Sequence, residues 1–262
     1  MSFTVRMLGG AQVEGPVGPV AGRAAHRRRL ALLALLASSR SGSATREKLI
    51  GYLWPEHRSV RARHLLSVSL TELRKELGDA FVSAGDELSL DPEVVASDVG
   101  AFEAALGAGD WSRAAELYRG PFLDGFYVED APLFQQWAEA ERDRLARAYA
   151  DVLERLAGAA EAAGAAEEAA RWWRRAAAHD PCSSRVALRL MRALEAAGDR
   201  VSAIRHAEAH EAALREELDI EPDAEVAALA ARLRSDPGLP APQAAPVPAV
   251  PGRPERPERD VV

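Results

Sequence analysis

A single cysteine, Cys182, is all the thiol chemistry the chain holds, so an internal disulfide is excluded and a reducing, cytoplasmic setting is expected. Long apolar runs are missing too. The longest, Leu30 to Ala37, is eight residues and far too short to span a bilayer, so no membrane association is expected. The basic cluster Arg27–Arg29 follows turn residues rather than a chain start, which argues against a signal peptide. Aromatic residues make up only 6% of the 262 positions while alanine and leucine abound, a balance that favours helices. Catalytic signatures are also absent: no P-loop occurs, no Gly-x-Gly-x-x-Gly follows a strand, and no nucleophile elbow surrounds a serine. No enzyme and no cofactor is expected. With 48% hydrophobic and 28% charged residues the chain has a globular balance and is long enough for one large or two ordinary domains.

Positive charge is scarce overall, since the net charge is −7, which by itself argues against nucleic acid. Its distribution argues the other way. Residues 1–78 hold 13 Lys and Arg against 5 Asp and Glu, whereas the remainder holds 20 against 35, so the first part carries +8 and the rest −15. Such asymmetry suggests a basic module tied to an acidic, partner-facing one, although an ordinary uneven surface would produce it as well.

The basic module centres on residues 61–78. Leu66, Leu70, Leu73 and Leu77 recur at helical spacing and form one apolar stripe, and Gly78 stands where a helix C-cap belongs. Beside the stripe lie Arg61, Arg63, His64, Ser67, Ser69, Thr71, Arg74 and Lys75. Arginine and lysine suit phosphates or guanine edges, and serine and threonine bond to either, so the helix fits a DNA major groove. A solvated amphipathic helix is the bland alternative, and the surroundings decide between the two. Within the helix, Arg63, His64, Ser67 and Thr71 are assigned base-facing or phosphate roles, and Arg74 and Lys75 a clamp on the backbone.

Before that stretch, Phe3–Leu8 and Ala11–Glu14 alternate as short antiparallel strands, broken by Gly9-Gly10 and turned by Gly15-Pro16. A helix is expected over Ala24 to Ser38. Its basic first turn, Arg27 and Arg28 with Arg29, opposes the macrodipole, which phosphate contact or water would offset. Thr45 reads as the N-cap of a second helix with Leu49, Ile50, Leu53 and Trp54 buried and Pro55 as its stop. After Gly78, Phe81–Ser83 and Leu88–Leu90 read as a hairpin around Gly85.

The order is sheet, three helices, hairpin. It is carried by Arg27-Arg-Arg-Leu-Ala-Leu-Leu-Ala-Leu-Leu, by Lys48-Leu-Ile-Gly-Tyr-Leu-Trp-Pro, and by Arg61-Ala-Arg-His-Leu-Leu-Ser through Leu73-Arg-Lys-Glu-Leu-Gly. These residues resemble the winged helix-turn-helix of response-regulator type, whose third helix reads the major groove. Glu72 departs from that family, which commonly carries a basic residue there. On a DNA face its carboxylate would repel phosphates or accept from a cytosine amino group.

Beyond Pro92 the pattern is helical throughout. Ser97 or Asp98 caps a helix containing Phe102, Ala105 and Leu106, and a second ends at Gly120-Pro121. Residues 121–132 form a loop with aromatic anchors, followed by a long helix over Leu133 to Ala163. Gly164 and Gly198 lie 34 residues apart, the period of tetratricopeptide hairpins. Ala169, Trp173, Ala176 and Pro181 match that pattern in order, Ala203 and Ala207 match it in part, and Gly109, Ala114 and Tyr118 give an isolated echo. The same stretch holds Leu117-Tyr-Arg-Gly-Pro-Phe-Leu-Asp-Gly-Phe, Trp137 with Glu141-Arg-Asp-Arg-Leu, Ala178-His-Asp-Pro, Leu190-Met-Arg-Ala-Leu and Arg215-Glu-Glu-Leu-Asp-Ile-Glu-Pro. It is similar to the bacterial transcriptional activator domain, and the whole chain resembles the SARP-like regulators that join the two modules.

The expected fold is mostly α in two domains: an α+β winged helix-turn-helix over 1–95 and an all-α TPR-like helical-repeat domain over 97–235. A disordered proline-rich tail is expected over 236–262, where Pro251, Pro254 and Pro257 with Arg253 and Arg256 also allow an SH3-type ligand. The resemblance implies a transcriptional regulator, an activator that binds double-stranded DNA, contacts RNA polymerase or another protein, and pairs as a weak or DNA-induced homodimer. A helical adaptor without specific DNA binding is the alternative, motivated by Glu72, the acidic hairpin turn Asp86-Glu87 and the net charge. A small-molecule sensor with a pocket at Trp137, Trp172 or Trp173 is a third reading, and core packing explains those residues as well. His206 and His210 stand at i, i+4 and could clamp a metal, but the intervening residues are not those of a zinc protease and no third ligand lies nearby, so a structural role is expected. Cys182 after Pro181 could hold an activated thiol, or simply sit beside a helix cap.

Overall fold

The computed structural model describes residues 2–20, 26–39 and 42–235. Its elements, in chain order, are β1 Phe3–Arg6, β2 Gln12–Gly15, β3 Gly18–Pro19, α1 Arg27–Ala37, β4 Ser43–Thr45, α2 Arg46–Leu53, α3 Ser59–Leu77, β5 Phe81–Ala84, β6 Glu87–Leu90 and β7 Val95–Ser97. Seven helices follow: α4 Asp98–Ala108, α5 Trp111–Leu117, α6 Pro132–Ala162, α7 Ala166–His179, α8 Ser184–Ala196, α9 Arg200–Leu218 and α10 Ala224–Ser235. The expected start of the first helix at Ala24 and the proline-rich tail lie outside the described residues.

The N-terminal part is a winged helix-turn-helix. Helix α1 is its pillar, with Leu30 through Leu36 all buried, as a helix enclosed on every side requires. Thr45 caps α2 by accepting from the Lys48 amide at 3.2 Å, and Trp54, buried beside Leu49 and Leu53, ends it before Pro55. In α3 the four leucines of the stripe are buried together with Ala62, and Gly78 closes the helix at φ 64°, a conformation that favours glycine. The hairpin β5–β6 gains β4 as a third strand, in the order β4-β6-β5, and forms the wing.

The first sheet is larger than the sequence suggested. β7 pairs parallel to β1, giving the order β3-β2-β1-β7. The expected domain boundary at 95–97 therefore falls on a strand of the N-terminal sheet. Directly after it, the buried carboxylate of Asp98 accepts from the backbone amides of Met7 at 2.9 Å, Leu8 at 3.0 Å and Val99 at 2.9 Å. Burial raises the Asp98 pKa, while those amides favour the ionised form. The segment after α5 returns to the same place: Gly9 donates to the Pro121 carbonyl and Leu123 to that of Met7. A Cβ on Gly120 would stand 3.0 Å from the Gly9 Cα, so this approach favours glycine.

From α6 onward, consecutive helices pack as antiparallel hairpins. Gly109, Gly164 and Gly198 end helices at φ 71°, 71° and 77°, so the isolated echo at Gly109 makes the same turn as the 34-residue pair. Trp173 is buried at the hairpin contact and donates its indole N–H to Glu161 at 2.7 Å.

Candidate nucleic-acid interface

Helix α3 shows an outward arc opposite its leucine stripe. Around the axis this arc runs from Arg63 and Arg74 on one rim, through Ser67, Val60, Thr71, His64 and Lys75, to Val68 and Arg61 on the other. Guanidinium groups flank a centre of small, polar and apolar side chains. The side chains of Arg61, Arg63 and His64 make no hydrogen bond or ion pair among the described residues. The Arg74 guanidinium lies 5.9 Å from the Phe81 ring centroid, which holds it between helix and wing. Thr71 donates its hydroxyl to the Ser67 carbonyl at 2.9 Å.

Other expected site residues are placed elsewhere. Ser69 is only 7% exposed and faces the interior, so it leaves the candidate interface. Lys75 is exposed but bonded to Glu72 at 2.7 Å. Glu72 itself is 9% exposed and borders the Arg61 rim, its carboxylate taken up by Lys75. Arg27 and Arg28 have partners within the chain. Arg27 donates to the Tyr127 carbonyl at 2.8 Å, and Arg28 to the Glu129 carbonyl at 2.9 Å, with Glu56 a further 3.6 Å partner. Carbonyl oxygens of the 121–131 loop thus hold the basic first turn of α1 in the unbound chain.

Between α2, the N-terminal half of α3 and the wing turn lies an open cleft of about 500 Å³, lined by Arg46, Ile50, Trp54, His57, Arg63, Ser67 and Asp86 among others. Arg46 anchors α2 to the wing, its amide donating to the Asp86 carbonyl at 3.0 Å and its guanidinium to Ser83 at 3.4 Å. In the wing turn Gly85 has φ 61°, and Glu87 accepts from the Ser43 hydroxyl at 2.8 Å. Val60 and Val68, 78% and 39% exposed, are the arc residues that a search for cations and hydroxyls passes over. Their only mark in the sequence is an apolar side chain off the leucine stripe.

The helical region offers different chemistry. His210 is buried, its Nδ1 against the Pro181 carbonyl at 2.8 Å and its Nε2 against Ser184 at 3.3 Å, so both ring nitrogens are occupied. Burial, then the nearby His210, lowers the His206 pKa to about 4. Cys182 donates to Glu217 at 3.4 Å, and burial and that carboxylate raise its pKa, the opposite of an activated thiol. Ser183, not Cys182, caps α8.

Among solved structures the fold is similar to that of Mycobacterium tuberculosis EmbR in complex with a low affinity phosphopeptide. That match has a TM-score of 0.60 and 22% sequence identity, and it covers 90% of this chain but 66% of EmbR, just under two thirds of its length. At such identity the likeness is one of fold. No curated protein matches the sequence. The bacterial transcriptional activator domain model matches residues 90–234, more than half of the chain. The match begins at the end of the wing and runs through α10, and by it this SARP-like chain belongs to the bacterial transcriptional activator domain family.

Proposed function

We propose that the protein binds double-stranded DNA through α3 and uses its helical array to hold RNA polymerase or another protein at the bound site, as an activator. The observation that carries this reading is the α3 arc, where Arg61, Arg63 and His64 lack partners on the face turned away from the core. Arg61, Arg63 and Arg74 would meet phosphates from the two rims, leaving His64, Ser67 and Thr71 over base edges. Lys75 would add a shared charge at the centre of the arc. In this reading residues 1–95 are the DNA-binding module and 97–235 the protein-binding one, and the gain comes from linking two modest affinities on one chain. No catalytic step is involved. Residence in the cytoplasm and a weak or DNA-induced homodimer accompany the reading, and no helix among the described residues is long and apolar enough to cross a membrane. Of the three motives for the adaptor alternative, Glu72 is weakened, because its carboxylate is largely buried and bonded to Lys75, while the acidic wing turn and the net charge remain.

The test is selection from a random-sequence duplex pool, with the Arg61→Ala, Arg63→Ala double variant as control. Enrichment of a motif, with steep salt dependence that the double variant weakens, is the expected result. Weak binding that ignores both sequence and these arginines would promote the adaptor.

A further inference from the structure

Two valines stand on the outward arc of α3, Val60 near its N-terminus and Val68 two turns further on. Valine is a poor choice for an exposed helical position, because its branched Cβ loses χ1 freedom against the preceding turn. The exposed faces of α6 and α7 are filled mainly by alanine, glutamate, aspartate and arginine instead. Around the α3 axis, Val60 lies between Ser67 and Thr71, and Val68 lies between Lys75 and Arg61. Thr71 commits its hydroxyl proton to the Ser67 carbonyl, so what it has left to present is its methyl group and an acceptor oxygen. Arginines on both rims would bring such a centre down onto base edges. The apolar feature that a major groove offers there is the C5-methyl group of thymine.

We propose that Val60 and Val68 are specificity-determining residues that read thymine methyl groups, so that the bound site carries thymine beneath each of them. The inference rests on the DNA-binding reading above. It is tested on the motif selected from the random pool by replacing each thymine in turn with deoxyuridine. That change keeps every hydrogen-bonding group of the base and removes only the methyl. At the contacted positions the full-length protein should lose about fourfold in affinity, the worth of one buried methyl-sized group. In Val60→Ala or Val68→Ala the difference between thymine and uracil should vanish at the matching position. Alanine is the better helix former, so both variants are expected to fold, and their melting temperatures check this. A motif bound equally well with uracil throughout, or valine variants that keep the thymine preference, would overturn the inference and leave the DNA-binding reading standing. No enriched motif at all would overturn both.

Discussion

Arginine is used in opposite ways at the two ends of the chain. In the helical array, guanidinium groups face carboxylates on neighbouring helices: Arg185 meets Glu154, Arg189 meets Glu161 at 3.4 Å, Arg174 meets Asp199 at 3.5 Å, and Arg232 meets Glu195 through two bonds of 2.7 Å. Those pairs stitch adjacent hairpins and leave an acidic surplus. On α3, Arg61 and Arg63 have no such neighbour among the described residues. Exposed cations with no carboxylate beside them are solvated by water and open to an anion from outside. Net charge says little here, because most of the array's positive charge is neutralised locally while that of Arg61 and Arg63 is not. Exposed Arg147 and Arg205 show that the array keeps some arginines without an ion pair as well, among the described residues.

Between the two regions lies a joint, and the largest effect is expected there. Asp98→Ala would leave the amides of Met7, Leu8 and Val99 without their buried acceptor. Denaturant unfolding should show a loss of about 3 kcal/mol or more, and a loss under about 1 kcal/mol would mean that water replaces the carboxylate. Next in size, the Arg61→Ala, Arg63→Ala variant should lower the magnitude of the salt slope of DNA binding by about 2, roughly one unit for each phosphate left without its arginine. An unchanged slope would erase the contrast between paired and unpaired arginines.

A pH-dependent effect belongs to His206. Its pKa is about 4 in the fold against an ordinary value of 6.5, so the unfolded chain takes up a proton that the folded one refuses. Stability contributed by the neutral ring is present above about pH 6.5 and is lost as pH falls towards about 4. His206→Leu should therefore unfold with a shallower pH dependence across that window, and identical slopes would show that the ring is solvated. The smallest effect is expected from Arg232→Ala, whose exposed pair with Glu195 is worth under about 1 kcal/mol. Melting temperature should barely move and DNA affinity should not change.

The leucine stripe, the Gly78 stop and the Thr45 cap are legible in the sequence because each depends on side chains within a turn or two of one another. Ser69 and Glu72 are not, because the buried arc of α3 is wider than its leucines and takes in polar residues beside them. The acceptor of Arg27 is illegible for another reason: the Tyr127 carbonyl is 100 positions away. β4 and β7, three residues each, are too short for alternation to show. Their partners lie more than 40 and 90 positions away in sequence. The 34-residue period reports only the helical hairpins and is silent about the return of residues 120–123 to Met7 and Gly9.

That return ties the N-terminal sheet, on which the α3 domain is built, to the segment that leads into the array. With α3 seated in a groove, the array's bearing around the duplex would follow the helical phase of the site. B-form DNA turns once in about 10.5 base pairs, so moving the site by half that repeat would swing the array to the opposite side of the promoter, and a full repeat would bring it back. Distance along the DNA would then count as an angle before it counted as a length.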